Sequence, residues 1–141
     1  MAIERGIAAA AILTGFAIAL AAPSSADDFN GHYTFTETDP NGPAASSDWY
    51  VTPCGDGCVN VALKPGGPTK QAHLNNGQWS LDSTDSLECE DGSSAPDATT
   101  AHFSWDANTL TGTVVSTDVK PVCGQPAGHQ ETNNMKLVRV P

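Results

Sequence analysis

The chain has 141 residues, of which 16 are acidic and 6 are basic, so its formal net charge is −10 at neutral pH. A surface of this sign repels phosphate backbones, and without a basic stripe it argues against nucleic acids as partners. The length fits one domain after a short leader, and the negative charge disfavours anionic membrane surfaces.

The first predicted element is an export signal. An apolar run over 6–22 follows Arg5 and precedes small residues at Ser24 and Ala26. This order of charge, apolar run and small residues predicts a signal peptide over 1–26, removed by cleavage after Ala26. The run is close to the minimum length for a membrane span, so an uncleaved anchor is the alternative.

The remaining segment, 27–141, is predicted to be a single secreted β domain with a thin core. It contains only 18 Val, Leu, Ile and Phe residues, although three tryptophans and two tyrosines add bulk. So few apolar residues also argue against a roomy lipid cavity, because an open pocket needs apolar lining in addition to a packed core. After removal of the signal we expect no association with the membrane.

Alternating apolar and polar residues predict β-strands along the whole domain. Eight runs show this pattern: 31–38, 47–53, 59–63, 69–74, 78–83, 98–105, 110–119 and 134–140. Short clusters of Gly, Pro, Asn and Asp separate most of them, so sequential strands should be neighbours in space. Two longer stretches, 84–97 and 120–132, are predicted to be irregular.

The predicted fold class is therefore all-β, an antiparallel up-and-down meander. We expect a small eight-stranded barrel, in which the first strand, with Tyr33 and Phe35, pairs with the last, with Leu137 and Val140. Closure would remove exposed strand edges. A two-sheet β-sandwich of the same strands is the alternative.

The four cysteines predict a disulfide framework, since an even number in a short exported chain is typical of one. In "CGDGC" a three-residue hairpin loop would place Gly57 in the left-handed region and bring Cys54 and Cys58 opposite one another. Cys89 would then pair with Cys123. Other pairings remain open.

Metal binding and redox chemistry are the alternatives for these cysteines. Structural zinc usually has paired C-x2-C ligands, whereas this spacing is C-x3-C. A reactive C-x-x-C pair needs a helix N-terminus, and this pair is predicted in a hairpin. We therefore predict no metal site and no redox pair.

Histidines are the next candidates for a site. The chain has four of them, on different segments: His32, His73, His102 and His129. The first three fall in strands and could converge at a barrel mouth near Asp106 or Glu37. Independent surface histidines are favoured, because no recognised motif spacing links any two.

The tryptophans are predicted to point into the core. Trp49, Trp79 and Trp105 lie at inward phases of their strands, where they fill a domain short of bulk. The alternative is a stacking platform for a ring. On that alternative they would be ligand contacts, together with His73 and His102.

No catalytic residue and no cofactor is predicted. The sequence lacks a G-x-S-x-G elbow, an S-x-x-K pair and a glycine-rich phosphate loop. The acidic stretch over 82–92 does not have the spacing of a calcium loop, so a solvated loop is favoured. We therefore predict that the protein is not an enzyme.

Several motifs together resemble a group of small exported mycobacterial and related actinobacterial proteins. They are "WYVTPCGDGCVNV", "GQWSL", "HFSWDANTLTGTVVST" and the terminal "MKLVRV". The resemblance covers nearly the whole domain, and the cysteine turn is its most distinctive part. It implies an exported, disulfide-bonded domain of the cell envelope or culture fluid, and it implies no activity.

The predicted function is a secreted, non-catalytic binding domain that recognises an envelope or host partner through loops at one rim. The sequence identifies neither the partner nor the oligomeric state. One alternative is a carrier of a small apolar ligand inside the barrel. The other is a hydrolase of envelope sugars or esters, which would require His73 or His102 near an acid or a serine.

Overall fold

The protein is described by a computed structural model over residues 28–42 and 44–141, and the predicted signal peptide lies outside these residues. The fold is all-β, and eight antiparallel strands form one closed barrel in chain order. The strands are β1 (Gly31–Thr38), β2 (Ala44–Gly55), β3 (Cys58–Ala62), β4 (Thr69–Asn75), β5 (Gln78–Glu88), β6 (Ser94–Asp106), β7 (Thr111–Asp118) and β8 (Gln130–Arg139). Within 28–42 and 44–141, no helix has the length and apolar character needed to cross a membrane.

Pairing between the first and last strands closes the barrel. Phe35 lies opposite Leu137, and Tyr33 lies opposite Arg139. The predicted barrel is therefore confirmed over the sandwich. Closure leaves each of the eight strands with two hydrogen-bonded neighbours, so none presents a free edge.

The two ends of the barrel differ in their connections. At one end, which we call the plugged end, lie the tight β2–β3, β4–β5 and β6–β7 turns. The other end, which we call the open end, carries the β1–β2, β3–β4, β5–β6 and β7–β8 connections. Because sequential antiparallel strands alternate in direction, every second connection along the chain lies at the same end of the barrel.

Aromatic rings fill the plugged end and continue toward the middle of the barrel. The Phe29 ring lies 5.4 Å from that of Trp79 and 5.9 Å from that of Trp105, between ring centroids. Trp105 also contacts Trp49, at 5.6 Å, and Trp49 stacks on Phe35 at 4.7 Å. All five rings are buried, so the three tryptophans belong to one aromatic column, as their inward phase predicted.

One glycine allows β7 to approach β6 closely. Gly112 lies opposite Trp105, and a Cβ at this position would lie 1.8 Å from the carbonyl oxygen of Ser104. No side chain fits at that distance. The glycine therefore permits the close strand pairing beside the aromatic column.

Both predicted disulfides are present. Cys54 and Cys58 pair across the β2–β3 turn with Cα atoms 5.1 Å apart, and Gly57 has the expected positive φ of 63°. The loop is shorter than predicted, because Gly55 lies opposite Cys58 and Cys54 falls at a register shift. Cys89 pairs with Cys123, with Cα atoms 5.4 Å apart, and joins the β5–β6 turn to the β7–β8 connection. Each end of the barrel is thus crosslinked once.

The structure corrects the prediction that 84–97 is irregular. β5 runs to Glu88 and β6 begins at Ser94, so most of this stretch is a hairpin that extends beyond the predicted strands. The register shifts between Asp85 and Leu87, where Asp97 has a positive φ of 48°. Leu87 and Ala95 lie opposite one another, but most other residues of the stretch are polar, which hides the period of two from the sequence.

Strand bounds also differ from the predicted ones elsewhere, by one to four residues. β2 begins at Ala44 rather than 47, β7 ends at Asp118, and β8 begins at Gln130 rather than 134. The irregular part of the second long stretch is correspondingly shorter. It contains an isolated bridge between Val122 and Gln125.

Candidate functional site

A cavity of about 520 Å³ lies at the open end, partly open to solvent beside the β3–β4 connection. Small-molecule sites in proteins typically span about 300–1,000 Å³. This cavity is apolar in its deeper part and polar at its rim. It occupies only part of the interior, next to the packed rings.

The apolar lining comes from inward positions of four strands. These side chains are Trp49 of β2, Val61 of β3, Leu81 of β5 and Phe103 of β6. Trp49, Val61 and Leu81 are buried, and Phe103 is half-buried. Because alternate residues of a strand face the interior, their odd-numbered positions all point into the barrel.

The aromatic column ends at this lining. The Trp49 ring lies 5.8 Å from the Phe103 ring, and Phe103 lies 5.9 Å from Phe35. Trp49 therefore contacts the packed interior on one side and lines the cavity on the other. Rigid rings at this position would offer a ligand a preformed apolar surface.

An ion pair and a hydroxyl form part of the polar rim. The Lys70 ammonium donates to Asp85 Oδ1 at 3.0 Å, and the Ser83 hydroxyl donates to Asp85 Oδ2 at 2.8 Å. All three residues line the cavity. They occupy inward positions on β4 and β5, above Ala72 and Leu81, where the interior meets solvent.

These contacts shift the pKa of Asp85. Desolvation alone would raise the pKa, but the hydrogen bonds from Ser83 and Lys70, with the positive charge of Lys70, together lower it below 3.8. Asp85 is therefore ionised at neutral pH. Its two oxygens are each bound to a protein donor.

The β3–β4 connection completes the rim with Leu63 and Lys64. Leu63 is 68% exposed, the highest value among the large apolar residues described as exposed. Lys64 lines the cavity, and within 28–42 and 44–141 its ammonium forms no ion pair. A Cβ at Gly67 would lie 2.7 Å from Lys64 Cγ, so the glycine leaves space for this lysine side chain.

A second inward carboxylate lies at the open end, on β1. Glu37 Oε1 accepts a hydrogen bond from Asn133 Nδ2 at 2.8 Å. Glu37 is not part of the cavity lining. Its charge is therefore already hydrogen-bonded within the barrel, opposite Met135 of β8.

The predicted ligand contacts separate into three positions. Trp49 lines the cavity, whereas Trp79 and Trp105 are packed against Phe29 at the plugged end. His73 and His102 lie on the outer wall of the barrel, at exposed positions of β4 and β6. Of the five residues, only Trp49 is near the cavity.

The histidines do not converge at a barrel mouth. His32 bonds Asp48 at 2.8 Å, and His102 Nδ1 bonds Asp82 at 2.7 Å, each on a different part of the outer wall. His129 lies 3.3 Å from Asp118. Within 28–42 and 44–141 no cluster of three or more His, Cys, Asp or Glu residues could hold a metal ion.

His102 and Asp82 meet one requirement of the hydrolase alternative, a histidine bonded to an acid. Both side chains are exposed, at 52% and 82%, and they form a cross-strand pair on the outer face of β5 and β6. No serine or threonine hydroxyl bonds His102 in the described part of the chain. The arrangement is that of a surface pair rather than an activated nucleophile.

Two acidic residues singled out by the sequence stabilise turns. Asp106 accepts hydrogen bonds from the backbone N–H groups of Thr109 and Asn108, which lower its pKa. Asp91 accepts bonds from the hydroxyl and N–H of Ser93, which lower its pKa in the same way. These carboxylates act locally, as Asx turns.

Comparison with known proteins finds no matching family, no matching curated protein and no matching solved structure.

Sequence reasoning missed most of the cavity. It did not single out Lys64, Lys70, Ser83 or Phe103 as site residues, and it considered Asp85 only as part of the acidic stretch over 82–92, for which a solvated loop was favoured over a calcium site. One signal was available: two of the five basic residues after position 26 lie within seven positions of each other, on either side of "PGGP". Only the barrel shows that both face one cavity.

Proposed function

We propose that this protein is an exported, non-catalytic binding domain of the cell envelope or surrounding fluid, and that it binds a small, largely apolar ligand at the open end of its barrel. The observation that carries the proposal is the cavity of about 520 Å³ lined by Trp49, Val61, Leu81 and Phe103. Two disulfides are consistent with an exported protein.

The location of the cavity also supports a binding role. Longer connections between strands on a rigid β scaffold commonly carry recognition residues. Here the β3–β4 connection contributes Leu63 and Lys64 to the rim. The sequence left binding through a rim and binding inside the barrel as separate hypotheses. In this proposal both take place at the open end.

A limited cavity favours a small ligand over a large lipid. The aromatic column occupies the barrel from Phe29 to Trp49, so a ligand could enter only the remaining part of the interior. In the described part of the chain no serine or threonine hydroxyl bonds His102, so this histidine gives no support to hydrolysis. We therefore propose retention or sensing of a ligand rather than its conversion.

Fluorescence offers a direct test, because Trp49 lines the cavity. The protein with both disulfides intact should change its tryptophan emission on titration with neutral apolar probes such as decanol. Val61→Phe, which places a ring in the cavity, should weaken binding about tenfold or more through steric exclusion.

Val138→Phe is the matched control. Val138 is 50% exposed and lies on β8, outside the cavity lining, so the same substitution there should leave affinity unchanged. Equal effects of the two variants, or no binding of any apolar probe, would refute the proposal. Native mass spectrometry of protein purified from its own culture would then identify the bound molecule.

A further inference from the structure

Resting on the proposed function, we further propose that the natural ligand is an amphiphile with one negatively charged head group, such as a monocarboxylate. Its apolar body would lie against Trp49, Leu81 and Phe103. Its head group would bind at the rim, between the ammonium groups of Lys64 and Lys70. The argument depends on the local charge of the cavity.

Positive charge is concentrated at this cavity. Only five basic residues follow position 26, and two of them line it, whereas one acidic residue of the fifteen in that segment does so. The lining thus carries a formal charge of +1, in a protein of net charge −10. At physiological salt, charges beyond roughly 8 Å are largely screened, so the lining charges dominate recognition of a bound head group.

The hydrogen bonds at the open end leave the lysines, rather than the carboxylates, available to pair with a charged ligand. Asp85 binds Lys70 with one oxygen and Ser83 with the other, so both of its oxygens already have protein donors. Of two further inward carboxylates at this end, Glu37 is bound by Asn133 and Asp118 lies 3.3 Å from the ring of His129. Lys64 forms no ion pair within 28–42 and 44–141, and Lys70 bonds one acceptor with an ammonium that has three N–H groups.

Cationic and doubly charged head groups fit less well. A cationic head group would meet two ammonium groups, while the only lining carboxylate is already engaged. A head group with two negative charges would leave one of them unmatched, because the lining carries a formal charge of only +1. One negative charge therefore matches the rim.

The test compares three probes that share one tail. Decanoate, decanol and decylammonium are titrated into the purified protein below their micellar concentrations, at low and at high salt, with tryptophan emission as the readout. Decanoate should bind about fivefold more tightly than decanol, the size expected for a partly exposed ion pair. Decylammonium should bind most weakly, and added salt should reduce the preference for decanoate.

Lys64→Gln isolates the charge of the rim. It should reduce the preference for decanoate over decanol to less than about twofold, because the ion pair is lost. Lys136→Gln is the matched control: Lys136 is exposed on β8, away from the cavity, and loses the same charge. It should keep the preference intact.

The outcomes separate this inference from the proposed function. If none of the three probes binds, the cavity is not a ligand site and both proposals fail. If the probes bind equally, or decylammonium binds best, only the anionic assignment is overturned. The same holds if Lys136→Gln removes the preference as fully as Lys64→Gln, since total charge would then explain it.

Discussion

The plugged and open ends of this barrel are built from the same eight strands but are stabilised differently. At the plugged end, tight turns enclose the rings of Phe29, Trp79 and Trp105, all buried. At the open end, inward positions carry Ser83 and Asp85, and longer connections surround a cavity. The contrast shows that a domain with little apolar material can pack one end well and leave a cavity at the other.

At the plugged end, the free energy gained by aromatic packing exceeds the cost of burying one polar group without a hydrogen-bond partner. The indole N–H of Trp105 is buried and has no hydrogen-bond partner in the described residues. A buried donor left unpaired costs roughly 1–3 kcal/mol. A residue surrounded by Phe29, Trp79 and Trp49 recovers more than this through ring burial and contact.

The largest effect is expected from the disulfides, and it should differ between the ends. The Cys89–Cys123 disulfide closes a longer loop than Cys54–Cys58 does. On the chain-entropy model, its removal therefore lowers the free energy of unfolding by about 4 kcal/mol, and removal of Cys54–Cys58 lowers it by about 2 kcal/mol. The Cys89→Ser/Cys123→Ser and Cys54→Ser/Cys58→Ser double variants should therefore lose stability in this order when unfolded with urea. Equal losses would mean that loop length does not govern the stability of the open end.

The next effect compares large apolar side chains at the two ends. Trp105→Ala should destabilise the fold by about 3–5 kcal/mol, as expected for a fully enclosed ring. Phe103→Ala should cost about 1–2 kcal/mol, because Phe103 is half-buried and already borders a cavity. Urea unfolding of both variants measures the difference, and a larger loss for Phe103→Ala would contradict the contrast between the ends.

The smallest effect is a pH dependence confined to the open end. Because Asp85 has a lowered pKa in the folded state, its contribution to stability is present above its ordinary value of 3.8 and is lost as pH falls through the folded value. The side chain is 55% exposed, so the contribution should be less than about 1 kcal/mol.

Asp85→Asn tests this pH dependence. The difference in unfolding free energy between the native protein and the variant should shrink between about pH 5 and about pH 2, as the native carboxylate becomes protonated. Asp91 and Asp106 also have lowered pKa values, but both remain in the variant, so their contributions cancel. A difference that stays constant with pH would show that Lys70 and Ser83 do not stabilise the charged form.

Much of the fold was predictable because its signals are local. Alternation predicted all eight strands, and the apolar phase of Tyr33 and Phe35 matched that of Leu137, which correctly indicated closure. The turn residues of CGDGC predicted the Cys54–Cys58 pair, although the loop has two residues rather than three. Each of these inferences depends on residues a few positions apart, or on one repeated period.

The extended β5–β6 hairpin could not be predicted in the same way. Its strands run to Glu88 and from Ser94, through Ser, Thr, Asp and Glu residues that show no apolar stripe. These parts of β5 and β6 are mostly polar on both faces because the open end has no packed interior for them to face. Their pairing depends on backbone hydrogen bonds and on the Cys89–Cys123 crosslink, which local patterns do not reveal.

The sequence by itself determined that this is a disulfide-bonded, all-β domain in which the tryptophans point inward, because strand periodicity, turn residues and cysteine spacing act over short distances. Only the tertiary structure decided which inward positions meet: Lys70 with Asp85, Trp49 with Phe103, and all four with one cavity. The physical reason is that barrel closure and strand register bring together side chains from four strands. The distances between these side chains in space bear no simple relation to their separations along the chain.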